Sequence, residues 1–178
     1  MTAVIKGVRI QNAIAPRSVV HCAASLAQNR AFVQPRDDKS AGDSVAKIMI
    51  RDLDNGILAF DLRHLLRVLA PHSLAAVWTI SSPDESRFEA TGAGGIRLEE
   101  LAESSSAIGG DELLVLADDT VQVIWGNFVG KLPQNPHEEW LTIRAFDSSF
   151  YEVESSDEAS IAHVVSHFCD VRFVEGTR

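Results

Sequence analysis

Short segments in which apolar and polar residues alternate recur along most of the chain. Because successive side chains of a strand point to opposite faces, this alternation predicts strands. The predicted strands cover residues 3–10, 45–51, 57–60, 74–81, 87–92, 140–146, 150–155 and 170–175. Most are close enough in sequence to form hairpins, and Asn55-Gly56 is the strongest turn signal among them. We therefore predict an α+β fold, a largely antiparallel sheet of hairpins with about four short helices packed on it.

The segment 111–130 is the most strand-like region of the chain. Asp118-Asp119 lies between two apolar runs, as a short hairpin turn would. After this pair, Val121, Val123 and Trp125 occupy every second position and so share one face of a strand. The segment predicts a hairpin with Asp118 and Asp119 in its turn.

Apolar residues at helical spacing predict the helices. Capping residues mark three of the starts, with Ser18 before residues 19–32, Asp61 before 62–70, and a capping box of Ser155 and Glu158 before the last helix. Pro71 is expected to end the second helix. Gly92, Gly94 and Gly95 lead into a further helix over 96–104, whose Ile96, Leu98 and Leu101 are expected to face the core. In the last helix we expect a buried stripe of Ile161, Val164, Val165 and Phe168.

Two polar segments separate these elements. Residues 33–44 contain Pro35, Gly42 and several charges, a composition typical of a flexible loop. Residues 131–140 form a second polar loop, with two prolines, that ends at Trp140. An aromatic residue at such a position can anchor an interface, although burial in the core is the more usual place for a tryptophan.

The acidic residues are distributed unevenly along the chain. A length of 178 residues with 46% hydrophobic content suits a single domain over 1–178. Residues 1–97 contain twelve Lys/Arg and nine Asp/Glu, a balance of +3, whereas 98–178 contain four and sixteen, a balance of −12. These add to the net charge of −9 and suggest two sub-halves, one mildly basic and one strongly acidic.

An acidic surface repels phosphate backbones and anionic lipid, so we expect no nucleic acid and no membrane among the partners. The first residues, interrupted by Lys6 and Arg9, do not fit a secretory or transit peptide, and no stretch approaches the ~20 apolar residues of a spanning helix. Cys22 and Cys169, far apart in sequence, do not form a disulfide framework. We expect a cytoplasmic protein.

The chemistry-bearing residues form no motif with specific spacing. His163 and His167 match H-x-x-x-H, but Val164 stands where a zinc peptidase has its glutamate, so we predict no metal and no cofactor. Asp147 with two serines is expected to form a turn rather than part of a triad. Arg63 and Arg67, four apart, could bind a phosphate or a carboxylate, although a solvated basic face is the simpler interpretation.

What remains is a predicted acidic surface on the C-terminal sheet. Alternation places Glu152 and Glu154 on one face of their strand, opposite Tyr151 and Val153. Other acids lie in the neighbouring turns and at the start of the last helix. The candidate partner-binding residues are Asp118, Asp119, Glu138, Glu139, Trp140, Asp147, Glu152, Glu154, Asp157 and Glu158.

In size, acidity, absence of catalytic motifs and α+β pattern, the chain resembles the immunity proteins of bacterial toxin–immunity pairs. Those proteins neutralise cytosol-entering toxins, often basic nucleases, by covering their active sites. The resemblance implies a non-enzymatic protein that binds a basic toxin domain through an acidic surface. Two alternatives stay open: a small hydrolase-type enzyme with a dispersed site such as His64, Asp147, His163 and His167, and a homo-oligomeric scaffold module.

Overall fold

The computed structural model describes residues 45–83 and 86–174, which form an antiparallel sheet of eight strands, a small separate hairpin and five helices. This confirms the predicted α+β fold. The strands are β1 (Ala46–Ile50), β2 (Leu53–Asp54), β3 (Ile57–Leu58), β4 (Val77–Ser81), β5 (Glu89–Gly92), β6 (Ala107–Gly109), β7 (Thr120–Lys131), β8 (Leu141–Phe146), β9 (Phe150–Ser155) and β10 (Val171–Phe173). The helices are α1 (Leu62–Val68), α2 (His72–Ala75), α3 (Ala93–Ser104), α4 (Gly110–Asp119) and α5 (Glu158–His167).

The large sheet has the strand order β10-β1-β9-β8-β7-β4-β6, and β5 also pairs with β7. The apolar residues of its middle strands are direct cross-strand neighbours, which makes one continuous apolar face. One row across that face consists of Ile80, Phe128, Ile143, Val153 and Ile48. All five are fully buried in the core that the sheet shares with the helices.

The opposite side of the same strands carries polar residues, and we call it the polar face. One row across it consists of Met49, Glu152, Arg144, Asn127 and Ser81, again as direct cross-strand neighbours. All five are partly exposed. In β9 the predicted alternation is confirmed, because Tyr151 and Val153 are buried while the glutamates between them are not.

The prediction of a hairpin over 111–130 is wrong in its first half. Residues 110–119 form α4, and Asp118 and Asp119 lie in its last turn rather than in a hairpin turn. Leu113 and Ala117, four apart, have the buried apolar side chains, whereas Val115 is 61% exposed. A short apolar run fits either period, and here leucine, alanine and acidic residues near the N-terminus favour the helix.

Several predicted pairings of neighbouring strands are also wrong. Asn55 and Gly56 do form a turn with positive φ, but it joins only the short strands β2 and β3. β1 pairs instead with β9 and β10. β4 and β5 do not pair with each other, since both pair with β7. The hairpin of β8 and β9 is confirmed. A turn signal fixes a local reversal of the chain but does not select the partner of each strand.

The helix starts differ in detail from those expected. Asp61 is the N-cap of α1, as predicted, but α5 is capped by Asp157 rather than by Ser155. α3 begins at Ala93 and its Ile96 is 64% exposed, so the expectation that this residue faces the core is wrong. The predicted strand 3–10, the helix after Ser18, the loop 33–44 and Cys22 lie outside the described residues.

Candidate functional site

The ten candidate partner-binding residues fall into three separate groups. Glu138, Glu139, Trp140, Asp157 and Glu158 lie where β7 ends and β8 begins. Asp118, Asp119 and Asp147 lie at the opposite end of the same strands. Because β7 contains 12 residues, at ~3.3 Å per residue these two ends are up to roughly 35 Å apart. The last two, Glu152 and Glu154, lie between them on the polar face.

Glu138, Glu139 and Glu158 of the first group share this end of the sheet with two further exposed acids, and we call the five carboxylates the acidic end of the sheet. The amide of Gly110 donates to the Ala76 carbonyl at 2.9 Å, which brings the first turn of α4 to the same end of the sheet. Lys131, from which the polar loop starts, pairs with Val77 there. The acidic end consists of Asp111, Glu112, Glu138, Glu139 and Glu158, all exposed. None of the five forms an ion pair with another residue of the described ranges.

Trp140 lies beneath these carboxylates and is not an exposed anchor. Its side chain is 8% exposed, and its ring packs edge-on against Trp78, with ring centroids 6.2 Å apart. The Ser155 hydroxyl donates to the Trp140 carbonyl, and the Trp140 indole donates to the Asp157 carboxylate at 3.4 Å. Trp140 therefore ties the polar loop to the start of α5.

The carboxylate of Asp157, which binds the Trp140 indole, is also used in hydrogen bonds to the start of α5. Its carboxylate accepts hydrogen bonds from the Ser160 hydroxyl at 2.6 Å and from the Ala159 amide at 3.1 Å. The hydrogen bond from Ser160 lowers the pKa of Asp157, burial opposes this less strongly, and the bonds from Trp140 and the helix amides lower the pKa further. Asp157 is thus a cap that positions the acidic end, rather than one of its available charges.

We expect Asp157→Ala to lower the free energy of unfolding by about 1 kcal/mol at pH 7, the usual cost of losing an N-cap. The folded pKa lies below the unfolded value, so this stabilisation is present above the unfolded pKa and is lost as pH falls through the folded one. The difference from wild type should therefore shrink below about pH 4. Urea unfolding at several pH values measures it, with the exposed Glu139→Gln as control. A difference that persists unchanged at low pH would contradict this role.

Glu152 and Glu154, the two predicted partner-binding acids on the polar face, are each paired with a cation of the protein. Lys47 lies 3.7 Å from Glu152 and 3.3 Å from Glu154, and Arg144 donates to Glu154 at 2.7 Å. Burial raises the pKa of Glu154, but the hydrogen bonds and charges of Arg144 and Lys47 outweigh it and hold the pKa below its usual value. Two cations therefore neutralise two acids across three neighbouring strands.

At the far end of the sheet, the α1 arginines bind groups of the chain itself. Arg67 donates two hydrogen bonds to the Asp118 carboxylate, at 2.7 and 2.9 Å. Arg63 donates to the carbonyl oxygens of Asp118 and Thr120 at 3.1 and 2.8 Å, where α4 ends. The two arginines thus hold a carboxylate and a helix C-terminus, rather than forming a solvated basic face. Asp119 and Asp147 are exposed nearby.

The residues of the dispersed hydrolase site do not come together. His163 and His167 are neighbours on α5, with ring centroids 4.4 Å apart. His64 instead contacts Asp61 at 2.9 Å, and Asp147 lies in the β8–β9 turn with φ of 46°. Within residues 45–83 and 86–174, no group of three or more His, Cys, Asp or Glu side chains could hold a metal ion.

The structure also shows a depression that the sequence did not reveal. It has a volume of about 400 Å³ and lies beside the polar face, between β7, β8 and the residues after β4. Its described lining is Ser82, Pro83, Ser86, Trp125, Asn127, Arg144 and Phe146. These residues come from three distant segments, so only the register of β7 with β8, which pairs Asn127 with Arg144, brings them together.

None of the helices in the described part of the chain has the length and apolarity needed to cross a membrane. Similarity to known proteins identifies neither a substrate nor a partner for this chain. No protein-family model, curated protein or solved structure matches the chain.

Proposed function

We propose that the chain is a non-enzymatic protein-binding protein of the immunity type, which acts in the cytoplasm and inhibits a basic protein partner by covering it with the acidic end. The observation that carries the proposal is the group of five exposed carboxylates at that end, none of them in an ion pair with another described residue. Carboxylates that are already paired with internal cations offer little to a partner. Unpaired ones at one end of a molecule of net charge −9 attract a basic surface.

The framework beneath the carboxylates favours binding in a second way. The loop that bears Glu138 and Glu139 is fixed by the burial of Trp140 and by its bonds to Ser155 and Asp157. Because this loop is already ordered, little conformational entropy is lost when a partner docks on it. Complementary charge then chiefly raises the association rate, and the rate falls as salt screens the attraction.

The test compares two variants that each remove three negative charges, one from the acidic end and one from other exposed positions of the described residues. E138Q/E139Q/E158Q removes three carboxylates of the acidic end. The matched control E103Q/D119N/D147N removes three exposed acids elsewhere. Tagged wild-type protein should retain a basic protein from its native lysate at low salt and release it at higher salt. The first variant should lose that protein, and the control should keep it.

The inhibitory part of the proposal needs the captured partner. Its association rate should fall about tenfold or more in the first variant, with a flatter dependence on salt, since rim charges act mainly on association. Addition of wild-type protein should abolish the partner's activity at equimolar amounts. Equal binding by both variants would exclude the acidic end, and an undiminished partner activity in the complex would exclude an immunity role.

A further inference from the structure

The depression beside the polar face differs in chemistry from the acidic end. Among its described lining residues, Arg144 is the one charged side chain. Trp125 and Phe146 form an aromatic wall, with their rings edge-on and their centroids 6.0 Å apart. Phe146 in turn stacks on Phe150 at 4.8 Å, which supports the wall from behind. A volume of about 400 Å³ is at the small end of ligand sites.

The lining retains hydrogen-bonding capacity that the described residues do not use. Arg144 donates to Glu154 through one terminal nitrogen, Nη1, and a guanidinium has five N–H groups. The Ser82 hydroxyl oxygen accepts from the Phe88 amide at 3.1 Å, so its own O–H is left to donate. Both groups are therefore able to bind an anionic oxygen, and a guanidinium binds a carboxylate with particular strength.

Asn127 adds an unused acceptor. Its amide nitrogen donates to the Ser81 hydroxyl at 2.9 Å, which leaves its carbonyl oxygen for another donor. That oxygen is buried and has no hydrogen-bond partner within the described residues. A buried acceptor without a donor costs about 1–3 kcal/mol, so a donor that reached this oxygen would stabilise the folded protein.

We propose that this depression binds a small aromatic carboxylate that carries a hydrogen-bond donor on its ring. The carboxylate binds the guanidinium of Arg144 and the hydroxyl of Ser82, and the ring packs on Trp125 and Phe146. The ring donor reaches the oxygen of Asn127 when the partly exposed side chains around it move apart. The site is independent of the acidic end, because Arg144 and Trp125 lie on the middle of β8 and β7.

The test uses phenylacetate, its neutral analogue phenylacetamide, and 4-hydroxyphenylacetate. The chain has three tryptophans, so a nitrogen–proton NMR spectrum shows three indole signals, and Trp125→Phe identifies the one in the depression. A ligand of this size is expected to bind with a dissociation constant of roughly 1 mM. Phenylacetate should shift the Trp125 signal, and phenylacetamide should bind about tenfold more weakly. The hydroxyl should strengthen binding, and Asn127→Leu should remove that gain.

Three variants separate binding from folding. Arg144→Gln should weaken phenylacetate binding about tenfold or more, but it also breaks the pair with Glu154. Glu154→Gln removes the competitor for Arg144, so it should tighten phenylacetate binding severalfold, a result that a misfolded variant would not give. Arg87 is a charged residue beside the same loop but outside this lining, so Arg87→Gln should leave phenylacetate binding unchanged. No shift of the Trp125 signal at about 10 mM phenylacetate, or equal binding of phenylacetamide, would overturn the proposal.

Discussion

Gly110→Ala is expected to lower the free energy of unfolding by more than about 3 kcal/mol, or to prevent folding, because the new methyl group has no room. Gly110 begins α4 where that helix meets α2. A Cβ there would overlap the carbonyl oxygen of Ser73 and lie 2.8 Å from the Cα of Leu74. Both are backbone atoms. The Ser73 carbonyl is further held by the Trp78 indole, which donates to it at 2.8 Å.

Gly109, the residue before Gly110, supplies a matched control. Gly109 has φ of −69°, which any residue adopts, and a Cβ there would meet only the carboxylate oxygen of Asp111, at 3.0 Å. That side chain can rotate, so Gly109→Ala should change stability by less than about 1 kcal/mol. Urea unfolding of the two variants measures the contrast. Equal stability of both would contradict the close contact between α2 and α4.

The elements that the sequence predicted well are those set by neighbours along the chain. Asp61 before an amphipathic run marks the start of α1. The alternation on either side of residues 147–149 marks the hairpin of β8 and β9, and in β9 it also places Tyr151 and Val153 in the core. Each of these signals is contained within about a dozen residues, so no distant contact was needed to interpret it.

The wrong predictions concern features that are determined by contacts between residues far apart in sequence. Asn55-Gly56 marks a real turn, yet β1 pairs with β9, about a hundred residues away in sequence. The apolar pattern of 113–117 by itself fits a strand or a helix, and packing against α2 and α3 stabilises the helix that its residue types also favour. The sequence alone could not reveal that Gly110 has no room for a side chain, because the backbone atoms that exclude one belong to α2.

For the candidate site, closeness in sequence does not predict closeness in the structure, and distance in sequence does not predict separation. Asp118 and Glu138 were grouped because both belong to the acidic C-terminal half, but the length of β7 separates them. Asp111 was not selected, yet the start of α4 brings it to the same end of the sheet as Glu138. Charge composition therefore predicted that an acidic surface exists, while only the topology shows which acids share it and which, like Glu154, are neutralised by cations.

Arg63→Met is expected to lower the free energy of unfolding by about 2–4 kcal/mol at pH 7, since it removes the cation from a partly buried carboxylate and the side-chain donor from two carbonyl oxygens. The Arg63 side chain is 25% exposed. Its Nε atom lies 2.9 and 2.8 Å from the two oxygens of Asp61, and its terminal nitrogens bind the carbonyls of Asp118 and Thr120. One side chain thus joins the start of α1 to the end of α4.

The stability that Arg63→Met loses is expected to depend on pH through the ionisation of Asp61. Burial raises the pKa of Asp61, but hydrogen bonds from His64 and Arg63 and their charges outweigh it, so the folded pKa lies below its usual value. The stabilisation is therefore complete above the unfolded pKa and is lost as pH falls through the folded one. Without Arg63 the Asp61 pKa should rise, so the loss of stability is largest near neutral pH and smaller below about pH 4.

Arg67→Met is the matched control, because it removes the same charge one helical turn later. Arg67 is 51% exposed and binds only the exposed carboxylate of Asp118. Exposed ion pairs contribute about 1 kcal/mol or less, so this variant should remain close to wild type. Urea unfolding of both variants between pH 3 and pH 7 distinguishes two contributions to stability. One is the clamp, by which we mean the bonds of Arg63 that join α1 to α4, and the other is the general effect of surface charge. Equal losses in the two variants, or a loss in Arg63→Met that does not shrink at low pH, would contradict the clamp.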